Sequence, residues 1–148
     1  MYKNLLVPID GTELADKAMT QSILFAKQLG ASITGFVAEP TAPAPAGGRP
    51  GARAVEMEAV GHDVETRQHA QDVLGLFETR ARRAGVAFTG HHVQAIDVDD
   101  AIVDAARELG CDMIVMVTHG RGVLGSLLFG GHTKNVMARS KLPLLVLH

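Results

Sequence analysis

Met113-Ile114-Val115-Met116-Val117-Thr118-His119-Gly120-Arg121-Gly122-Val123-Leu124-Gly125-Ser126-Leu127-Leu128-Phe129-Gly130-Gly131-His132-Thr133 opens with five consecutive apolar residues and runs into a glycine-rich loop, His119 to Gly131. An apolar run without alternation suits a central parallel strand covered on both faces. Glycines free the loop to turn backbone N–H groups toward one point, with the N-terminus of a short helix behind them, an arrangement that holds an anion. No Asp or Glu follows Asp112, whereas Arg121, Lys134, Arg139 and Lys141 do, so the segment is locally basic. Beyond it, Leu142 to Leu147 forms one more apolar run of strand length.

Upstream, the same punctuation recurs. Leu5 to Ile9 has strand length, and Asp10-Gly11-Thr12 supplies turn and N-cap chemistry for a helix reaching about Leu29. Ala15, Ala18, Ser22, Phe25, Ala26 and Leu29 give that helix a narrow face of mostly small residues, and Gly30 stops it. Ser32 to Ala38, with β-branched Ile33, Thr34 and Val37, predicts a second strand. From Glu39 to Gly61 four prolines and four glycines predict a mobile excursion, with a helical turn near Val55 to Ala59. Helical spacing resumes over His62 to Ala84 through Ala70, Val73, Leu74, Phe77 and Ala81, followed by an edge-like strand from Val86 to Gln94. Asp97 is placed to cap a third helix, with Asp99 and Asp100 at its positive end and Val98, Ile102, Ala105, Ala106 and Leu109 on its buried face.

Strands alternating with helices imply an α/β domain with a parallel sheet, right-handed crossovers and helices on both faces. Ligands of such sheets sit beyond the strand C-termini at the switch in strand order, and both Asp10 and Gly120 follow strand C-termini. The 148 residues fit a single domain that buries about two-thirds of its unfolded surface. A net charge of −2 makes the basic bias regional and argues against nucleic acid as the main partner. No apolar stretch approaches a membrane span and the N-terminal run is too short for a signal segment, which predicts a cytoplasmic protein without a membrane partner. Cys111 is the single cysteine, and its place before an apolar strand favours simple burial.

Other patterns point to structure more than chemistry. Asp10 serves equally as an ordinary helix cap. Gly120-Arg121-Gly122-Val123-Leu124-Gly125 fits G-x-G-x-x-G but lacks an acidic residue about 20 positions later. His91 and His92 point to opposite faces of a strand, and no ligand spacing completes a metal site. The acids from Asp97 to Asp100 are accounted for by capping, so no nucleophile, paired carboxylate or catalytic residue is expected near the loop.

Leu5-Leu6-Val7-Pro8-Ile9-Asp10-Gly11-Thr12, together with Thr118-His119-Gly120-Arg121-Gly122 through Gly130 to Pro143-Leu144-Leu145-Val146-Leu147, resembles the universal stress protein family over nearly the whole chain. The resemblance implies one domain over residues 1–148, with an open five-stranded parallel sheet of Rossmann-like order 3-2-1-4-5 and a flexible excursion at about 39–61. ATP-binding members carry Gly, two residues, Gly, nine residues, then Gly followed by Ser or Thr. Gly120 and Gly130 keep that spacing, whereas Val117 stands at the first glycine and Gly131 at the Ser or Thr.

Carried over residue by residue, the resemblance implies that Pro8, Ile9 and Asp10 line the adenosine side and that Val37 contacts the adenine ring. Met116 and Val117 would border the nucleoside. Gly120, Gly130, Gly131, His132 and Thr133 would surround the phosphates through amides and one hydroxyl. Mg²⁺ is expected only beside a bound triphosphate, held largely by its oxygens. The implied function is a stress-response or signalling protein that binds ATP, with at most slow hydrolysis. A dimeric interaction module that has lost the nucleotide is the alternative, and an adenine-nucleotide hydrolase a further one. The same resemblance implies a two-fold homodimer through the strand at 142–147.

Overall fold

The apolar runs pair side by side as parallel strands. In the computed structural model, described here for residues 1–41, 52–118 and 131–148, with 52–60, 62 and 63 as backbone alone, the elements follow one another as expected. They are β1 (Asn4–Pro8), α1 (Glu13–Leu29), β2 (Ser32–Pro40), α2 (Ala52–Arg83), β3 (Phe88–Ala95), α3 (Val98–Glu108), β4 (Met113–Val117), α4 (Gly131–Arg139) and β5 (Leu144–Leu147). The sheet order is β3-β2-β1-β4-β5. Every pairing is parallel, with Leu5 opposite Ile33 on one side of β1 and Met113 on the other.

Side chains alternate across the sheet, so β1 feeds two cores. Leu5 and Val7 pack with Ala15, Ala18, Met19, Ala70 and Phe77, which places α1 and α2 on one face. Leu6 packs with Phe36, Ile102, Ala106 and Val136, which places α3 and α4 on the other. The contact face of α1 is broader than its small residues suggest, since Met19 and Ile23 are buried while Phe25 and Leu29 pack at its margin. Cys111 is 6% exposed, and burial pushes its thiol up from the ordinary value.

Two glycines permit close approaches. Gly35 lies beneath the Phe88 ring, where a Cβ would stand 2.5 Å from the ring's Cζ. Gly11 has φ +74°, a left-handed conformation costly for other residues, and a Cβ there would stand 2.3 Å from His69 Nε2. The β1–α1 turn is therefore covered by α2.

The main departure from the sequence expectation is the length of α2. Backbone from 52 to 61, expected inside a mobile excursion, is helical and continuous with the helix expected from His62. Residues 52–60 are mostly Ala, Glu, Met, Arg and Val, and Gly61 costs only about 1 kcal/mol within a helix, too little to break it. β2 also continues to Pro40, two residues past the expected end. What remains of the excursion, 42–51, lies outside the described residues.

At the far edge of the sheet His92 meets Glu39 across β2 and β3. His92 Nε2 and Glu39 Oε2 stand 3.5 Å apart, both enclosed and neither with a hydrogen-bond partner among the described residues. His91 points to the other face, as strand alternation requires.

Candidate functional site

The chain order and the sheet order together create a switch point. From β1 the sheet grows one way through β2 and β3, reached by α1 and α2 on one face, and the other way through β4 and β5, reached by α3 and α4 on the other face. The helices that follow β1 and β4, α1 and α4, therefore lie on opposite faces, the arrangement in which such sheets take a ligand beyond the strand C-termini. Asp10 follows β1, Val117 ends β4, and the N-termini of α3 and α4 lie at this same edge. The β4 end is tied to β5, with Thr118 N–H donating to Leu147 O at 2.9 Å and Thr118 Oγ1 3.0 Å from His148 Nδ1.

Asp10 does not cap α1. The N-cap is Thr12, whose side chain makes no capping bond. Asp10 Oδ1 instead accepts from Thr12 N–H at 3.0 Å and from Thr12 Oγ1 at 2.7 Å. The result is a turn that fixes the carboxylate and leaves Oδ2 without a partner among the described residues. Asp10 is exposed, while Pro8 is half-buried and Ile9 is buried.

The other candidates divide by accessibility. Val37 is 1% exposed and belongs to the core beneath α1 and α2, so its side chain offers a ring almost no surface. Met116 is 9% exposed and packs on the opposite core. Val117 is half-buried against the α1–α2 core. Gly131 and His132 are exposed at the start of α4, and a Cβ at Gly131 would meet nothing within 4 Å among the described residues. Thr133 is 3% exposed, so the hydroxyl expected among the phosphates is nearly enclosed. Gly120 and Gly130 lie outside the described residues, as does Arg121.

The acidic cluster at α3 does more than cap. Asp97 accepts from Asp99 N–H and Asp100 N–H, as expected. Asp99, however, turns inward: its side chain is 8% exposed, Oδ1 lies 2.6 Å from His132 Nδ1, and Oδ2 accepts from Asn135 Nδ2 at 2.6 Å. Arg139 reaches Asp97 at 2.9 Å and Asp100 at 2.8 Å. His132, Asn135 and Arg139 recur at three- and four-residue spacing, so one face of α4 is fastened to the start of α3. An Asp–His pair therefore stands beside the end of the glycine loop, where the sequence suggested only capping.

This clamp changes the local charge. Arg139 is engaged by two carboxylates and contributes little free positive charge, which reduces the basic character inferred from the sequence. Backbone N–H donation from Asp100, followed by the Arg139 hydrogen bond, holds the Asp97 carboxyl below its ordinary value. A depressed carboxyl stabilises the fold above the unfolded-state value and loses that contribution as pH falls through the folded-state value. The α3–α4 contact is thus expected to loosen in acid. Comparing thermal melts of the native chain and Asp97→Asn on acidification tests this, because the variant should show a smaller loss.

A family model described as the universal stress protein family matches residues 1–148. The chain belongs to that family. Among curated universal stress proteins it is similar to MJ0531 of Methanocaldococcus jannaschii, at 23% identity over 146 residues, covering 99% of this chain and 82% of the relative. Its structure is similar to UspA of Lactobacillus plantarum, at 21% identity and TM-score 0.77, covering 99% and 98% of the two chains. A universal stress protein from Archaeoglobus fulgidus, solved in complex with dAMP, aligns at 19% identity and TM-score 0.61 over 99% and 98%. At these identities the structural likeness is one of fold. Among the described residues, no helix of this universal stress protein is long and apolar enough to cross a membrane.

Proposed function

We propose that this universal stress protein binds an adenine nucleotide, ATP with Mg²⁺, at the β1–β4 switch point and acts in the cytoplasm as a stress-response or signalling protein. The observation that carries it is Asp10, an exposed carboxylate fixed by Thr12 at the β1 terminus with Oδ2 free to accept from base or ribose. Pro8, Ile9, Met116 and Val117 border the same end of the sheet, and contact at the level of Val37 would come from strand backbone, since its side chain is enclosed. The loop glycines Gly120 and Gly130 complete the phosphate end in sequence, leading into the exposed Gly131 and His132. The dAMP complex of the Archaeoglobus relative supports an adenine ligand for this fold. The phosphate oxygens would supply most of the metal's ligands.

Calorimetry with ATP and Mg²⁺ tests the proposal. A Ser at position 131 meets no described residue beside the helix start and adds a hydroxyl worth about 1 kcal/mol, so Gly131→Ser is expected to bind about fivefold more tightly. Val117→Gly removes a side chain that packs on the core and opens the β4 terminus. Binding by Val117→Gly but not by the native chain would identify Val117 as the block and favour the interaction-module alternative for the native protein. No binding by the native chain, Gly131→Ser or Val117→Gly at millimolar nucleotide would overturn the proposal.

The β5 edge supports a two-fold dimer under either function. Leu144 to Leu147 are all half-buried on a strand that no other described strand flanks on its outer side, and strand addition by a second copy would pair the backbone groups of that edge. Sedimentation is expected to give twice the monomer mass, and Val146→Pro, which removes an edge N–H, to shift it toward monomer. A native chain that remains monomeric at all concentrations would exclude the dimer.

A further inference from the structure

We propose that the second copy at β5 also rests on α1 and α4, with Leu24 meeting its own counterpart on one face of the joined sheet and Met137 its own counterpart on the other. The inference rests on the dimer proposed above and adds the surface that holds it. Four residues at about 3.3 Å each make a strand edge only about 13 Å long. A stable pair buries about 800 Å² on each partner, and so short an edge falls well below that. The elements that flank it must supply the remainder.

Both flanks carry an exposed apolar side chain. Leu24 on α1 is 58% exposed, and Met137 on α4 is 55% exposed. Gln21 Nε2 donates to His148 O at 3.3 Å, which turns that side of α1 toward the end of β5. Leu24 follows by three residues on the same side of the helix, about 4.5 Å back along the sheet and so level with the body of β5. On the other face His132, Asn135 and Arg139 hold α4 to α3. Met137 stands about 200° around the helix from both Asn135 and Arg139, so it faces away from α3, on the side of the β5 edge. Between the two helices Leu145 and Leu147 pack with the α1–α2 core and Leu144 with the α3–α4 core, so the apolar surface runs from helix to helix across the strand.

A two-fold requires each copy to offer the surface that it receives. An antiparallel ladder meets that requirement, because opposed residues exchange the same bonds. Its axis stands normal to the sheet and crosses β5, which continues each face of one copy into the same face of the other. The α1 helices then face each other, as do the α4 helices, and a side chain near the axis meets itself.

Leu24→Asp and Met137→Asp are each expected to raise the dimer dissociation constant in sedimentation by about a hundredfold, since like charges are set against each other. Leu76→Asp, at a 48% exposed position on α2, is expected to leave it unchanged. Circular dichroism of all three should keep the native helix and strand content, as each site is exposed in the single chain. With a short bifunctional thiol reagent, Leu24→Cys and Met137→Cys are each expected to form covalent dimers alone, and the native chain, whose Cys111 is buried, to form none. A native dimer with the same dissociation constant in Leu24→Asp, Met137→Asp and Leu76→Asp would overturn the inference and leave the strand dimer standing. Covalent dimers obtained only on mixing the two cysteine variants would overturn it too, because Leu24 would then face Met137 of the other copy. A native chain that stays monomeric would overturn both readings.

Discussion

Phe77→Ala is expected to lower the stability of the domain by about 3–5 kcal/mol. Phe77 is 0% exposed, and its ring lies 4.9 Å from that of Phe88 at a 55° tilt. Phe88 in turn lies over Gly35, so the aromatic pair joins the second half of α2 to two strands. Truncation leaves a cavity that the β2 backbone cannot fill without distorting the sheet. Folded domains of this size hold about 5–15 kcal/mol in total, so the loss is severe. Urea unfolding should show a lower midpoint at an unchanged slope. Leu76→Ala is the comparison: its residue is 48% exposed on the same helix and the change should cost well under half as much. Equal effects would mean that α2 is not anchored through Phe77.

Asp10→Ala is expected to weaken ATP binding by about ten- to a hundredfold, the range for a hydrogen bond to a charged group. The carboxylate spends Oδ1 on Thr12, so its free oxygen is the one available to a nucleotide. Asp10→Asn keeps an acceptor oxygen for one of these tasks, and its loss should be intermediate. Because the Thr12 turn is itself exposed, Asp10→Ala should change the thermal midpoint by only a few degrees, separating a binding effect from unfolding. Unaltered ATP affinity in Asp10→Ala would place the ligand elsewhere.

The succession of strands and helices is legible because each apolar run ends at a turn or helix start, and the central place of β4 because it is apolar at every position; the order of the strands in the sheet comes from the family resemblance, not from these runs. The start of α2 was misjudged because prolines and glycines through position 51 overshadow the good helix formers of 52–60. Asp10 is placed by its sequence position at the start of α1, but its local bond goes to Thr12 and not to a helix cap, a distinction of backbone geometry that residue type does not carry. Asp99 was hidden by its neighbours. Three acids at a helix start satisfy the macrodipole equally well, and only the angle at which α4 packs on α3 decides which of them turns inward to His132. The distance in sequence between Asp99 and His132 leaves no local signal of their contact. Val37 and Thr133, which the resemblance implies as ligand contacts, have side chains enclosed by packing, a feature that position in a motif does not carry.

The Glu39–His92 pair bears on how far this sheet could grow by adding copies of itself. An open sheet has two edges; if both accept a strand, each copy can receive one neighbour and offer itself to another, and the product is a fibre. In this molecule the edges differ. β3 is studded with Thr89, His91, His92 and Gln94, and His92 is turned inward toward a carboxylate, a known deterrent to edge-to-edge pairing. β5 is short and wholly apolar. On the proposed dimer, with β5 as the receptive edge among the described residues, addition would end after a single step, and polymerisation would require loss of the polar character of β3.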